Sequence, residues 1–411
     1  MIKTISNTAF SLGIIAVLNF ILITLVYRTL GSAGSEQMIL IVLGISFVVL
    51  MNNMIGGAAL VYLTPRKSVY SLLSISYLWA IASVIVVGSI LYILELVPME
   101  FFYYVMLISV LECVFSIHNQ VLIGKKKIVN HNLLKILQKV IQLTCFIVLG
   151  ITIQNFVVAI VISYLFVLIL SVYFVKYHVN FKEKDSLKEL FTTSIKYGFD
   201  IQSSNVVQLL NYRLLYYFIE KTMGTALGLY GLAVQLSESL WIPSKALAII
   251  QYSELSNEII EEKRKQLSLS FVKASFVITS VLLVILLLIP NSLFLFVFKK
   301  DVEGINEIIL ALSLGVLSIA VNQIFAHYLS GKGIYKYNVR ASIIGFIVVV
   351  SLGWFAITNY GLIGAGIVTS LSYFLSSFYL AVIFVRESKS KLSDFFIRKE
   401  DVTRVVGIFK K

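Results

Sequence analysis

Lys221-Thr222-Met223-Gly224 separates two long apolar runs of this 411-residue sequence, one ending near Ile219 and the other beginning near Leu227. The same order of a cation, Thr, an aliphatic residue and Gly occurs once before, at Arg28-Thr29-Leu30-Gly31, and again lies between two apolar runs. Recurrence of the same short motif between two pairs of apolar runs is typical of an internal duplication. The motif therefore predicts that the chain consists of two related halves.

The apolar content decides the class of protein. Of all residues 59% are hydrophobic and 13% charged, whereas soluble domains have about half and a quarter. Several apolar runs exceed the ~20 residues that a helix needs to cross a bilayer. Backbone polar groups stay unpaired in lipid unless the chain is helical or forms a closed barrel, and the short alternating segments of a barrel are missing. We therefore expect an all-α polytopic membrane protein.

Hydropathy predicts twelve transmembrane helices, a number that fits two halves of six. The spans are 6–27, 37–63, 71–94, 101–123, 133–151, 154–175, 195–219, 225–252, 269–290, 305–329, 338–358 and 362–385. Lys and Arg cluster in alternate connections, for example Lys125-Lys126-Lys127 and Lys263-Arg264-Lys265, while the other connections are short and poor in cations. By the positive-inside rule, this asymmetry predicts that both termini are cytoplasmic.

The longest internal loop divides the spans six and six. Two further pairs of similar segments support this division: Leu122-Ile123-Gly124-Lys125 resembles Leu329-Ser330-Gly331-Lys332, and Ser163-Tyr164 resembles Ser372-Tyr373. Because each half has an even number of spans, the two six-helix lobes should be related by a pseudo-twofold axis along the membrane normal. The predicted domains are an N-terminal lobe at 1–180, a cytoplasmic linker at 181–194, a C-terminal lobe at 195–386 and a basic amphipathic cytoplasmic tail at 387–411.

The formal net charge of +13 has two possible sources. It could mark a nucleic-acid-binding surface, or it could reflect Lys and Arg collected in cytoplasmic loops to set the topology. The basic residues lie in short loops between spans, so we favour the second source and expect no nucleic-acid partner. The tail is expected to lie in the inner headgroup layer of the bilayer, and the alternative is that it is disordered.

Polar residues within the spans are the candidate functional residues, because each charge there costs roughly 2.5–3.5 kcal/mol at the centre of a helix on insertion scales. Some of them have a simpler explanation: Lys245 and Arg340, near the cytoplasmic ends, could extend to the interface, and amides within spans often join helices. For Glu238, Asp200 and Lys139 we favour a water-filled cavity. The candidate cavity residues are the cations Arg213, Lys139, Lys245 and Arg340, the acids Glu238, Asp200 and Glu112, and the amides Asn19, Asn52, Asn53, Gln208, Asn211 and Gln235.

Signatures of catalysis are missing from the sequence. It has no Asp-x-Asp for a metal-bound sugar nucleotide, no His-Glu-x-x-His and no Gly-rich phosphate loop followed by Lys-Ser/Thr. We therefore expect a transporter rather than an enzyme, with no metal and no cofactor other than H⁺ or Na⁺ as a coupling ion.

The second half carries a resemblance to a known family. Gly228-Leu229-Tyr230-Gly231-Leu232-Ala233, followed by Gln235-Leu236-Ser237-Glu238 and Leu240-Trp241-Ile242-Pro243, resembles the eighth span of polysaccharide-repeat flippases of the Wzx type. These belong to the superfamily of the multidrug and toxic-compound extruders. Tyr360-Gly361-Leu362-Ile363-Gly364-Ala365-Gly366 also matches. One departure is that many relatives carry an acidic residue near position 211, where this chain has Asn211.

The resemblance implies a flippase of a bacterial plasma membrane. It would move a polyprenyl-pyrophosphate-linked oligosaccharide from the inner to the outer leaflet by alternating access, and it would cooperate with a polysaccharide polymerase and a chain-length regulator. On this hypothesis Arg213, Lys139, Lys245 and Arg340 attract the anionic substrate, while Glu238, with Asp200 or Glu112, exchanges the coupling ion. The alternatives are a drug or metabolite antiporter of the same fold, a membrane glycan polymerase, and a lipid-II-type flippase.

Overall fold

The repeated Gly of the duplicated motif interrupts the helices in both halves. The computed structural model describes residues 2–180, 185–257, 260–299, 302–332, 334 and 336–396. Gly31 has φ 71° and Gly224 has φ 53°, a left-handed conformation that costs a side-chain-bearing residue about 1–2 kcal/mol. A third glycine, Gly361 (φ 57°), interrupts the last long helix in the same way. The glycines therefore mark the breaks between successive helical segments.

The described chain folds into thirteen α-helices and two short 3₁₀ turns, Met99–Phe101 and Leu392–Phe395, which confirms the predicted fold class. The helices are α1 (Ile2–Gly56), α2 (Ala58–Leu63), α3 (Val69–Ile93), α4 (Phe102–Gly124), α5 (Ile128–Leu149), α6 (Ile153–Lys176), α7 (Leu187–Met223), α8 (Ala226–Ser239), α9 (Ile242–Asn257), α10 (Glu261–Leu287), α11 (Asn291–Phe298), α12 (Ile305–Gly331) and α13 (Lys336–Ser388).

Eight helices of the described chain are long and apolar enough to cross a membrane. Two of these, α1 and α13, exceed 50 residues and are broken at Gly31 and Gly361, so each provides two crossing segments. The helix α7 and the pair α8 and α9 correspond to the two remaining predicted spans. They carry the polar stripes and are not among the eight apolar helices, so the number twelve stays a prediction.

Predicted span 225–252 is divided in the structure, because α8 ends at Ser239 and α9 begins at Ile242. The cause is Pro243. Its nitrogen carries no hydrogen and cannot donate to the carbonyl of Ser239, four residues earlier, whereas a proline in the first turn of a helix loses no hydrogen bond. Trp241 consequently lies in the break between the two helices. A short helix that the sequence did not predict, α11, follows Pro290.

The chain divides into two compact units, the first comprising residues 3–206 and the second beginning at Val207. The division falls inside α7, so the first turns of this helix belong to the first unit and the rest to the second. The predicted domain boundaries remain a prediction, and residues 397–411 of the predicted tail lie outside the described part of the chain.

In the first unit α4 packs against α3 and α6, and α5 packs against α6. Polar side chains join these helices in the interior. His118 of α4 has one ring nitrogen 2.6 Å from the Tyr77 hydroxyl of α3 and the other 2.6 Å from the Ser171 hydroxyl of α6. Such hydrogen bonds hold helices together where lipid offers no polar partner.

The linker before α7 is fastened to the start of α3. The Asp185 carboxylate accepts a hydrogen bond from the Ser68 backbone nitrogen (2.7 Å), at the helix end where the dipole favours an anion. Glu189, in the first turn of α7, accepts from the Lys67 ammonium (3.1 Å), and this hydrogen bond raises the pKa of Lys67. The first turn of α7 is therefore tied to the first unit.

In the second unit α12 contacts α8, α9, α10 and α13. Small side chains permit the close approach of α12 and α13. Ser370 of α13 accepts from the Gly315 backbone nitrogen (3.1 Å) and donates to the Ala311 carbonyl (2.6 Å), both on α12. Glycine, alanine and serine at a helix crossing let the backbones meet, as in other membrane proteins.

The conformation of Gly224 generates a prediction about stability. Gly224→Ala should lower the free energy of unfolding by about 1 kcal/mol, because alanine is strained at positive φ even though a Cβ would meet no atom within 4 Å. Gly224→Asn should retain more stability, since asparagine tolerates this conformation. The measurement is thermal unfolding in detergent.

The matched control is Gly13→Ala, because Gly13 also has open space around it but lies within α1. This substitution should be neutral or stabilising, since alanine favours helices. Equal effects of the two alanine substitutions would contradict the conformational explanation.

Candidate functional site

The polar stripe of α7 continues into the second unit with side chains at helical spacing. Gln208 donates to the Tyr212 hydroxyl one turn later (2.9 Å), and Asn211 and Arg213 follow on the same stretch. Asp200, predicted to lie on this stripe, is helical, but its side chain lies outside the described parts of the structure. Of the candidate residues on this stripe, the structure therefore describes the side chains of Gln208, Asn211 and Arg213.

Arg213 and Glu238 form a two-pronged ion pair between α7 and α8. The guanidinium donates from Nη1 to Glu238 Oε1 (3.1 Å) and from Nη2 to Oε2 (2.9 Å). The two side chains are 25% and 19% exposed, so most of the pair is removed from solvent. Parallel hydrogen bonds of this kind fix both orientation and distance, which a lysine could not do. Two residues predicted to have separate roles are thus joined in one group.

Four aromatic residues border the ion pair. The Tyr216 hydroxyl accepts from Arg213 Nη1 (2.9 Å), and the Tyr373 hydroxyl lies 3.5 Å from Glu238 Oε1 and donates to it. Tyr212 and Trp241 lie against the Tyr373 ring, with centroid distances of 5.1 and 6.0 Å. The break between α8 and α9 is what brings Trp241 to this position. The pair is therefore held in an environment that is aromatic and hydrogen-bonding at once.

Asn211 joins helices. It is 4% exposed, and its Oδ1 accepts a short hydrogen bond from the Ser372 hydroxyl of α13. Gly345 of α13 makes this approach possible, since a Cβ there would lie 2.8 Å from the Ser372 hydroxyl oxygen. Of the two explanations open for this amide, a cavity wall or a contact between helices, the described contacts favour the second.

The remaining candidates of the second unit form no described hydrogen bond with the ion pair. Lys245 is exposed, and Arg340 is exposed with its guanidinium 5.8 Å from the centre of the Tyr337 ring. Neither is among the described hydrogen-bond partners of Arg213 or Glu238. Gln235 is half-buried on α8, about one turn before Glu238. An interfacial position, the simpler explanation of Lys245 and Arg340, agrees with their exposure.

A second polar cluster lies within the first unit, around Glu112 of α4 and Lys139 of α5. The Lys139 ammonium donates to Gln142 Oε1 (3.1 Å) and interacts electrostatically with Glu112. The Tyr164 hydroxyl of α6 is hydrogen-bonded to Glu112. Gln138, in turn, donates to both Gln142 (3.3 Å) and the Ser163 hydroxyl (3.1 Å). Like the site around Arg213 and Glu238, this cluster contains a carboxylate, a cation and a tyrosine.

The predicted amides of α1 have three different environments. Asn19 is half-buried, and Asn53 accepts from the Ser116 hydroxyl of α4 (3.3 Å). Asn52 is fully buried, and neither its oxygen nor its nitrogen has a hydrogen-bond partner among the described residues. An unpaired buried amide costs roughly 1–3 kcal/mol, so natural proteins retain few of them. Asn52 is therefore the amide most in need of a ligand or a water.

Two features of the site were not predicted from the sequence: the enclosing tyrosines Tyr212 and Tyr216, and the pairing of Arg213 with Glu238. A signal for the pairing was present. Charges of opposite sign within neighbouring spans joined by a short turn are expected to neutralise each other in lipid. The tyrosines of the two similar Ser-Tyr pairs are Tyr164 and Tyr373. Tyr164 interacts with Glu112 and Tyr373 with Glu238. The sequence similarity between the two halves did not indicate this role.

No protein-family model matches the sequence, and no curated protein does. Among solved structures, the chain is similar to the lipid II flippase MurJ in its inward closed conformation, with a TM-score of 0.71, 15% identity, and 98% of this chain and 91% of that chain covered. It is also similar to a multidrug resistance MATE family transporter of the MOP superfamily in its inward-facing conformation, with a TM-score of 0.69, 10% identity, and 91% and 94% covered.

A third similar structure is a MOP superfamily transporter from Pyrococcus furiosus, with a TM-score of 0.67, 12% identity, and coverage of 94% of this chain and 96% of that one. Together with the apolar helices, these likenesses describe a multi-pass membrane protein. The chain therefore has the fold of these three solved structures, two of which are MOP superfamily transporters and one the lipid II flippase MurJ.

The ion pair generates a prediction about stability. Glu238→Gln should lower the free energy of unfolding by about 2 kcal/mol, because it leaves a mostly buried guanidinium without its counter-charge. In the double variant Arg213→Gln/Glu238→Gln much of this loss should be recovered. A double-mutant cycle of thermal unfolding in detergent measures the coupling. Additive losses would mean that the two charges do not stabilise each other.

The unpaired amide generates the opposite expectation. Asn52→Leu should leave the stability unchanged or raise it by about 1 kcal/mol, because it removes an unsatisfied buried group while keeping the number and branching of the side-chain heavy atoms. Asn53→Leu is the matched control and should be destabilising, since it breaks the hydrogen bond from Ser116. A clear loss of stability in Asn52→Leu alone would show that Asn52 is already satisfied in the folded protein.

Proposed function

We propose that the chain is a flippase that moves polyprenyl-pyrophosphate-linked oligosaccharide repeat units from the inner to the outer leaflet of a bacterial plasma membrane, for surface polysaccharide biosynthesis. The fold supports movement of a substrate across or between leaflets. The observation that carries the finer proposal is the Arg213–Glu238 pair, bordered by aromatic side chains, on helices whose sequence resembles the Wzx type.

The chemistry of the substrate fits the two faces of this site. A guanidinium with two donors directed the same way binds a phosphate group as readily as a carboxylate. Tyrosine and tryptophan rings offer apolar faces for sugar rings and polar edges for hydroxyl groups. Tyr212, Tyr216, Trp241 and Tyr373 supply such faces beside the guanidinium.

The mechanism is an exchange of partners. In the described state Glu238 occupies Arg213. An entering pyrophosphate displaces the carboxylate, and Glu238 is left facing anionic phosphates until it takes up a proton or Na⁺. Loss of that cation restores the ion pair and releases the substrate. Glu112, which interacts electrostatically with Lys139 in the first unit, is the second carboxylate of the coupling proposal, and the fully buried Asn52 offers its unpaired amide to a water.

The remaining features of the proposal rest on the sequence analysis alone. Both termini would be cytoplasmic, the protein would catalyse no covalent step, and it would supply units to a polysaccharide polymerase and a chain-length regulator. A glycan polymerase is disfavoured, because the similar solved structures named above are transporters and a flippase.

A drug or metabolite antiporter is the second candidate, and the fold supports it equally. One observation favours it: a carboxylate among aromatic rings is also how a lipophilic organic cation is held. The candidates differ in what Arg213 does. It attracts the substrate of a flippase, but it competes with the substrate of a cation antiporter for Glu238.

The test uses cells that lack the gene and are complemented with variants. We expect Arg213→Gln to accumulate lipid-linked repeat units that an external glycan-binding probe cannot reach, and to lose about 10²-fold or more of surface polysaccharide, because its anchor for phosphate is gone. Arg213→Lys should recover part of the loss. Lipid-linked glycans are measured by mass spectrometry, and protein amounts by immunoblot.

Arg386→Gln is the matched control, because Arg386 is an exposed arginine in the last turn of α13. It should behave like the wild type. Normal polysaccharide in Arg213→Gln, together with greater drug resistance when the chain is overproduced, would favour the antiporter. Single repeat units at the surface of cells lacking the gene would instead identify polymerisation as the missing step.

A further inference from the structure

Two phenol hydroxyls lie beside the Arg213–Glu238 ion pair. The Tyr216 hydroxyl accepts a hydrogen bond from Arg213 Nη1 (2.9 Å), and the Tyr373 hydroxyl donates to Glu238 Oε1 (3.5 Å). The two tyrosines belong to different helices, Tyr216 to α7 and Tyr373 to α13. The polar groups around the carboxylate therefore include more than the guanidinium.

Both phenol rings are buried and held by aromatic contacts. Tyr216 is 6% exposed, and its ring stands edge-on to the ring of Tyr230 of α8, with the centroids 5.8 Å apart. The Tyr230 hydroxyl is in turn 2.7 Å from the Thr369 hydroxyl of α13. Tyr373 is 2% exposed and packs against the ring of Tyr212. Contacts other than those to the ion pair thus hold both hydroxyls in place, and polar groups that are already ordered bind a ligand at a lower entropic cost.

The donors around Glu238 outnumber the oxygens of its carboxylate. Oε2 accepts from Arg213 Nη2 at 2.9 Å, while Oε1 is shared by Nη1 at 3.1 Å and the Tyr373 hydroxyl at 3.5 Å. The hydrogen of the Tyr216 hydroxyl is not part of its bond with Nη1, because that hydroxyl is the acceptor there and a hydroxyl can donate while it accepts. Four donor groups therefore lie around an anion that has two oxygens.

We propose that Tyr216 and Tyr373 make this site selective for a phosphate group over a carboxylate. The inference rests on the proposed function, in which an anionic group of the substrate takes the place of Glu238. A pyrophosphate has more oxygens than a carboxylate and directs them tetrahedrally, so it offers acceptors to the guanidinium and to both hydroxyls. A sugar carboxylate would only repeat the arrangement of Glu238. The site therefore recognises the lipid-linked end of the substrate and does not select its sugars.

The test is isothermal titration calorimetry of the full chain in detergent, with inorganic pyrophosphate or malonate as the probe, at one pH and one Na⁺ concentration. The wild type should bind pyrophosphate more tightly than malonate. Tyr216→Phe and Tyr373→Phe should each weaken pyrophosphate binding about tenfold, the effect of one hydrogen bond to a charged group, and weaken malonate binding less than about threefold. Neither substitution changes the charge of the site. Arg213→Gln should weaken the binding of both probes.

Tyr360→Phe is the matched control, because Tyr360 is an exposed tyrosine of the same helix as Tyr373. It should bind both probes as the wild type does. Undiminished pyrophosphate binding in Tyr216→Phe and Tyr373→Phe, with loss of binding in Arg213→Gln, would overturn this assignment and leave the proposed function intact. Equal weakening of both probes by the tyrosine substitutions would also overturn it, as would a wild type without preference for pyrophosphate. Normal surface polysaccharide in Arg213→Gln would instead contradict the proposed function.

Discussion

The structure depends on one constraint: an ionic group within a membrane must carry its counter-charge with it. Water would solvate Arg213 and Glu238 separately, but in a bundle of apolar helices each is costly alone. Their paired hydrogen bonds join α7 to α8, and Tyr216 and Tyr373 add one further hydrogen bond each, to Arg213 Nη1 and to Glu238 Oε1. In the first unit Lys139 interacts electrostatically with Glu112 and donates a hydrogen bond to Gln142. The helices with the most polar stripes thus remain compatible with lipid.

Much of the fold could be predicted, because its signals are local. A run of apolar residues is a helix in lipid whatever surrounds it, and Gly31 and Gly224 break helices through their own backbone conformation. The break between α8 and α9 was also local, since Pro243 removes a hydrogen bond four residues back. It was missed because the hydropathy of 225–252 is continuous. Hydropathy reports burial in the bilayer and not the continuity of the helix.

The site was less predictable, because the role of a polar residue depends on what faces it. Asn52 and Asn211 are both buried asparagines in predicted spans. Asn211 bonds to Ser372, whereas Asn52 has no partner among the described residues. Nothing in the sequence near either residue distinguishes a contact between helices from an amide awaiting a ligand. Pairing of Arg213 with Glu238 likewise depends on the packing of two helices, although the need for some partner was evident from their position in the membrane.

The ion pair also explains how a site of this kind could couple two solutes without a separate device. In the proposed mechanism Arg213 has one set of donors and two candidate anions, the Glu238 carboxylate and the substrate pyrophosphate. Whichever anion is displaced lies in an environment that is too poorly solvated to hold an unmatched charge. The displaced carboxylate must therefore bind a cation, and the cation must leave before the pair can form again. Coupling then follows from the charge balance of a single pair, and its stoichiometry should be one cation for each carboxylate displaced.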